Sequence, residues 1–191
     1  SEEKKNEIAD KKRKTFREHY GEDYGKVIEE RNMKLFGVKN VSQIKEKIMF
    51  KSKYFNELEF TDSLTAKSLK INNTMPTDIR KNYEIFSKQL DIIREYYGKP
   101  IYINSGYRCN ALNKAVGGAL NSHHTGQNNY CAADLDTRKG KIENQKLFNL
   151  ILSLNKIDKI KFCELIDEKD YKWIHLSINV NNISLNIKKV L

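Results

Sequence analysis

Apolar residues are sparse over the first fifty positions of this chain and then settle into regular spacings. Between Glu2 and Arg17 the only apolar side chains are Ile8, Ala9 and Phe16. A helix there would have too narrow an apolar face to be held by packing. From about Ser52 the pattern changes. Phe55, Leu58, Phe60, Leu64, Leu69 and Ile71 are spaced as in short packed segments. Beyond Pro76 the residues Ile79, Tyr83, Phe86, Leu90, Ile93 and Tyr97 step by threes and fours, which predicts a helix with one buried face. Thr77 or Asp78 is placed to cap its free N–H groups. Gly98 ends it and Pro100 blocks its continuation. Ile101-Tyr102-Ile103 predicts a short strand, and Ala132-Ala133-Asp134-Leu135-Asp136 the start of another. A second helix is expected from Glu143 to Leu154, with Leu147, Leu150, Ile151 and Leu154 inward. Phe162 to Asp167 and Trp173 to Ile178 predict two strands joined by Glu168-Lys169-Asp170-Tyr171. The pattern is α+β, with a small sheet closing the C-terminal half. It divides the chain into a basic, helical N-terminal arm, residues 1–51, and a folded domain, residues 52–191.

Length and charge sharpen this only in part. At 191 residues the chain suits one domain with an appendage. Thirty-five Lys and Arg against 25 Asp and Glu give a net charge of +10, which favours anionic partners. Nucleic acid, anionic glycans and lipid head groups all qualify, and charge does not separate them. Cys109, Cys131 and Cys163 are odd in number and widely spaced, so they form neither a disulfide framework nor a CxxC knuckle. Reduced thiols and synthesis in the cytoplasm are the expectation. No apolar run approaches the roughly 18 residues of a membrane span, and the charged start has no signal-peptide core.

Candidate chemistry gathers around three of the four histidines. His123 and His124 are adjacent in Asn121-Ser122-His123-His124-Thr125-Gly126, and His175 sits in Trp173-Ile174-His175-Leu176-Ser177. Between them Asp134 follows two small residues. Zinc takes histidine nitrogen and carboxylate oxygen, and a catalytic site leaves one position open for water. Two histidines and an aspartate from separate segments could supply such a site, although a histidine is more often a simple hydrogen-bonding group.

The flanking residues add a resemblance. Ser105-Gly106-Tyr107-Arg108, then Asn113-Lys114-Ala115-Val116-Gly117-Gly118-Ala119, then Ser122-x-His124, Gly126 and Ala132-x-Asp134 follow the motif order of the M15 peptidases. Phe162-Cys163-Glu164-Leu165-Ile166-Asp167-Glu168 and Trp173-Ile174-His175-Leu176-Ser177 are similar to the last two strands of their phage-borne members. Thr65-Ala66, Leu69, Ile71, Asn73 and Pro76 match the lead-in. The resemblance covers about residues 52–191. It implies a Hedgehog/DD-peptidase-like fold, with a small antiparallel sheet and flanking helices. It also implies a Zn2+ ion on His124, Asp134 and His175, with Arg108 anchoring the substrate. Arg108 serves equally as a structural ion-pair partner. Tyr107 is a core residue or a substrate contact, and Ser122 orients its loop or touches substrate. Gly117-Gly118 provides a turn. The implied function is hydrolysis of a peptide bond in bacterial peptidoglycan stem peptides, as a D-Ala-D-Ala carboxypeptidase or an L-Ala-D-Glu-type endopeptidase.

Two departures from the family pattern matter. His124 and Asp134 are ten positions apart where the family keeps seven. A longer loop through Gln127-Asn128-Asn129-Tyr130-Cys131 absorbs the difference at little cost, and it leaves His123 as a rival ligand. Lys172 stands three positions before the last histidine, where an acidic or proton-accepting residue is common. Glu168 is then the expected proton shuttle, with Glu164 and Asp170 as alternatives. A domain that has lost turnover and binds only, as a virion structural module for instance, is the competing reading. Residues 30–47 resemble short repeats beside phage homing nucleases. That implies a nucleic-acid contact, with attachment to other virion proteins as the alternative. The expected setting is a phage protein made in the cytoplasm of a bacterial host and acting at its cell wall.

Overall fold

The computed structural model describes residues 50–181 and 189–190, together with residues 26, 29–30 and 32–34. The chain divides into two compact units, Ser1–Met49 and Phe50–Leu191. The described residues of the first are helical. The expectations for the N-terminal arm, including the repeat-like stretch at 30–47, fall almost entirely outside the described residues.

In the second unit, helices come first and the sheet is completed late. Helix α1 (Glu57–Thr61) starts in a capping box, in which Asn56 accepts from the Glu59 backbone while Glu59 reaches back to the Asn56 N–H. Helix α2 (Leu64–Ser68) is capped by Ser63. Helix α3 (Thr77–Tyr97) runs as the periodicity predicts and ends on Gly98 in the left-handed region. Its start differs from expectation. Pro76 is the N-cap, no side chain caps the helix, and Asp78 lies within the first turn, where a carboxylate favours the positive end of the helix dipole. Strand β1 (Tyr102–Ser105), helix α4 (Asn110–Ala115) and strand β2 (Tyr130–Asp136) follow. Helix α5 (Lys141–Lys156) and the strands β3 (Glu164–Glu168), β4 (Trp173–Asn179) and β5 (Lys189–Val190) complete the unit.

The strands form one five-stranded sheet in the order β1-β2-β4-β3-β5. All pairs are antiparallel except the short β3–β5 pair. Side chains alternate between faces along a strand. One face presents Cys131, Ala133, Leu135, Leu165, Ile174, Leu176 and Ile178 to the buried faces of α3 and α5, including Tyr83, Phe86, Leu90, Ile93, Leu147 and Ile151. The opposite face carries Ala132 and Asp134 from β2, His175 and Ser177 from β4, and Glu164 and Glu168 from β3. The core helices thus sit behind the sheet and the polar groups in front of it.

Some apolar spacings mislead. Phe55 and Phe60 are buried, but Leu58, Leu64 and Leu69 are exposed, Leu64 at 82%. Short helices bury only one or two positions, so an evenly apolar stretch overstates their packing. Among the described residues all three cysteines are free, and no helix is long and apolar enough to cross a membrane.

Candidate metal centre

Each element of the centre is held by backbone hydrogen bonds before any side chain acts. His124 lies in a 3-10 turn, His123–Thr125, which ends on Gly126 at φ +73°. A Cβ at Gly126 would approach within 2.5 Å of Ile79 Cγ2, so only glycine lets the turn settle against α3. The Arg108 N–H donates to the His124 carbonyl at 2.9 Å, and the buried Tyr83 hydroxyl lies 3.3 Å from the His124 carbonyl and 3.2 Å from the Ala132 carbonyl. One oxygen on α3 therefore ties the histidine turn to β2. Burial pushes the Tyr83 phenol well above its ordinary pKa, which keeps it a neutral donor.

The long loop between His124 and Asp134 is pinned to the C-terminal end of β4. Gln127–Asn129 is a second 3-10 turn in which Asn128 and Asn129 take φ of 53° and 64°, a region asparagine tolerates better than most residues. The Val180 N–H donates to the Asn129 carbonyl and the Asn179 side chain to the Asn128 carbonyl. Strand β2 then begins at Tyr130, two residues before the expected start.

Register brings the distant residues together. Asp134 pairs with His175 across β2–β4 and Ile166 with His175 across β3–β4. A bulge in β1 sets Ser105 opposite Asp134. His124 Nε2 is 3.3 Å from His175 Nδ1 and 3.3 Å from Asp134 Oδ1, and the His175 Nδ1 to Asp134 Oδ1 distance is 3.0 Å. Two donors each about 2.05 Å from a tetrahedral zinc lie roughly 3.3 Å apart. The three atoms therefore form a triangle of the size one face of a zinc tetrahedron requires.

The partners outside the triangle set the ring orientations. His124 Nδ1 donates to the Gly106 carbonyl at 2.6 Å, which leaves Nε2 with a lone pair facing the cluster. Gly106 is packed tightly, since a Cβ there would meet the Phe60 backbone at 2.6 Å. His175 turns Nδ1 toward Asp134, and its Nε2 lies 3.6 Å from Glu164 Oε2. Glu164 Oε2 is also 3.0 Å from His123 Nδ1, and that nitrogen is 2.9 Å from Ser177 Oγ. His123 stacks on Tyr130 with ring centroids 3.9 Å apart.

Electrostatics follow from this arrangement. Burial would lower the His175 pKa, but the hydrogen bond to Asp134 and the nearby Glu164 carboxylate outweigh it and raise the group to about 9. Burial would raise the Asp134 carboxyl, but the two histidines beside it, His175 carrying the proton, hold it well below the usual carboxylate range. Burial lowers His124 despite its contact with Asp134, so His124 stays neutral. In the metal-free chain a proton on His175 thus supplies positive charge among these donors.

The structure places the other sequence candidates as follows. The Arg108 Nη2 is 3.2 Å from Asp134 Oδ2 and its Nε donates to Ser105 Oγ at 2.9 Å, so this arginine is an ion-pair partner of the cluster. Tyr107 is 5% exposed and packs edge-on against Tyr83. The Ser122 carbonyl accepts from Thr125 and so shapes the histidine turn. Glu168 shares the polar face but pairs with Trp173, one register step from His175. Lys172 is exposed and precedes β4. Glu164, and not Glu168, contacts a cluster histidine. His123 belongs to a second group, His123–Glu164–His175, which shares His175 with the first.

Sequence reasoning passed over Asn73 and Asn144. Asn73 bonds to the Thr61 and Tyr107 carbonyls and accepts the Cys109 N–H, fastening α1 to the Arg108 segment. Asn144, 1% exposed, holds Thr137, Asp136 and the Tyr171 and Lys172 carbonyls. Asn73 stood within the family lead-in, whereas nothing in the pattern around Asn144 marks it.

A mixed α+β scaffold with two histidines and an aspartate converging on one sheet face matches the architecture expected from the motifs. A family model for Peptidase M15 matches residues 53–177, and the chain belongs to that family. No curated protein matches the chain.

Proposed function

We propose that the protein is a zinc-dependent peptidase that hydrolyses a peptide bond in bacterial peptidoglycan stem peptides, as a D-Ala-D-Ala carboxypeptidase or an L-Ala-D-Glu-type endopeptidase, in a phage setting. The observation that carries this is the His124–Asp134–His175 triangle, with edges of 3.0 to 3.3 Å and every non-facing ring nitrogen or oxygen oriented by a neighbour. These three residues would hold the ion. Zinc supplies Lewis acidity at a substrate carbonyl and acidifies a water to a pKa of about 7.

The chain's own groups do the rest. Arg108 neutralises the outer oxygen of Asp134 and keeps further guanidinium donors for a substrate oxygen. Glu164 contacts the His175 nitrogen remote from the cluster, which makes it a positioning group for that ring. Glu168, on the same open face about 7 Å along the sheet from the His175 row, takes the proton as general base. Glu168→Gln should then lower kcat by about 10²- to 10⁴-fold with zinc affinity unchanged.

Incubation with purified peptidoglycan, with and without chelator, tests the function. Chelator-sensitive release of fragments supports it, and their masses name the bond. No release from zinc-loaded protein sinks it in favour of a binding module, the reading that the exposed Lys172 supports. The basic N-terminal unit is proposed to contact nucleic acid or other virion proteins. DNA binding by the full chain that weakens with salt and disappears on deletion of residues 1–51 would support the nucleic-acid version.

A further inference from the structure

A cavity of about 740 Å³ opens beside the metal centre and shares Arg108 with it. Arg138 also lines this cavity, and neither the M15 motifs nor the hydrolytic role above requires it. Arg138 follows β2 in a tight turn. It has φ of 55°, and its N–H donates to Asp136 Oδ1 at 2.9 Å. Thr137, ahead of it, is pinned by Asn144 through both its N–H and its hydroxyl. The turn lays the Arg138 guanidinium over the Tyr102 ring, 3.9 Å from the centroid. A guanidinium stacked by its face keeps its N–H edges free for hydrogen bonding.

The two acids and two arginines lining the cavity balance in charge but do not pair with one another. On the α1 side, Glu59 is engaged in its capping box and Asp62 pairs with Lys67. On the sheet side, Arg108 spends two donors on Ser105 and Asp134. Among the described residues no carboxylate pairs with the Arg138 guanidinium. The cavity therefore presents unspent guanidinium donors, and its acids already have partners.

We propose that Arg138, held on Tyr102, is a carboxylate-binding subsite that selects peptides carrying a free carboxylate near the scissile bond. This rests on the peptidase reading of the adjacent centre. Register gives the spacing. Tyr102 pairs with Asp136 and Ser105 with Asp134, so the Tyr102 row lies one step, about 7 Å, from the Asp134 row. One extended residue, about 3.5 Å, together with a hydrogen bond of about 3 Å spans most of that distance. In a stem peptide the residue after either scissile bond carries a free carboxylate, the C-terminal one for a D-Ala-D-Ala cut and that of D-Glu for an L-Ala-D-Glu cut, and both share the planar chemistry a guanidinium grips in two places.

The test uses the full chain in metal-free form, which cannot turn over, and measures equilibrium binding of three stem pentapeptides by calorimetry. One is the free acid, one the C-terminal amide, and one carries the D-Glu carboxylate as its amide. Arg138→Ala should weaken binding of the free acid about tenfold or more, with Arg138→Lys intermediate. Wild-type protein should show the same loss toward one of the two amides, which identifies the carboxylate engaged, and Arg138→Ala should no longer distinguish that amide from the free acid. Equal binding of the free acid by wild type and Arg138→Ala overturns the proposal, as does wild-type protein that binds none of the three. Cleavage by zinc-loaded protein is scored separately. Cleavage without an Arg138 effect removes the subsite alone, and Arg138-dependent binding without cleavage removes the peptidase reading alone.

Discussion

Replacing Glu164 by Gln isolates the contribution of a charge beside one ring of the His124–Asp134–His175 triangle but outside it. Its Oε2 sits 3.0 Å from His123 Nδ1 and 3.6 Å from His175 Nε2. Gln preserves size and can still accept from His123, but it removes the negative charge beside His175. Two effects then act on zinc affinity in opposite directions. A carboxylate behind a ligating imidazole raises its basicity, and losing it costs about 10- to 100-fold in metal affinity. The same carboxylate, after the dominant lowering by burial and together with Asp134, helps raise His175 to about 9 in the metal-free protein. At pH 7 a proton on such a group competes with zinc by roughly 100-fold. Removing Glu164 relaxes that competition. The expected result is a 10- to 100-fold loss of affinity at pH 10, where His175 has shed most of its proton, and a visibly smaller loss at pH 7. Competition against a chromophoric chelator at the two pH values measures both. Unchanged affinity at pH 10, or a greater loss at pH 7 than at pH 10, contradicts a role for Glu164 behind His175.

Three further outcomes follow from the same geometry. Tyr83→Phe removes the hydroxyl shared by the His124 and Ala132 carbonyls. It should cost about 1–3 kcal/mol in urea unfolding, and a change under 0.3 kcal/mol would show the hydroxyl to be dispensable. Gly126→Ala meets both a φ of +73° and an overlap with Ile79, and should destabilise by more than about 1 kcal/mol. Adding Ile79→Ala should relieve only the overlap, so full recovery in the double variant would count against backbone strain. The metal-free protein should lose stability as pH rises. The folded His175 pKa of about 9 lies above its ordinary 6.5, so its contribution is complete below 6.5 and gone above 9, at most about 3 kcal/mol. A melting temperature of the metal-free protein that stays flat or climbs across that window contradicts this.

Much of the architecture was legible because it depends on short-range repetition. The 3–4 stepping from Ile79 to Tyr97 marks α3 because one apolar stripe must face the sheet. Val- and Ile-poor β2 was harder to see. Cys131, Ala132 and Ala133 have little strand preference, and they are buried because α3 and the ligand cluster press on opposite faces. The cluster itself was legible from ordered motifs, and the structure brings His124, Asp134 and His175 together. The role of Glu164 was not. Glu164 and Glu168 share a strand face, and only the β3–β4 register decides which contacts a ring nitrogen of His175 or His123. Tyr83 and Asn144 were hidden for the same reason, since a periodic pattern shows that a residue is buried but not where its single polar atom points.

The position of β4 has a consequence for the order of assembly. This strand lies between β2 and β3 in the sheet, although it comes after both along the chain. His124 and Asp134 therefore exist as neighbours of an incomplete site until the β3–β4 hairpin docks edge-on against β2 and delivers His175. During synthesis at the ribosome, the His124–Asp134–His175 triangle is the last part of this domain's chemistry to be assembled. A nascent chain that has exposed α1 through β2 carries two of the three donors and no working centre, so the hydrolytic potential of the domain is withheld until its fold is nearly finished.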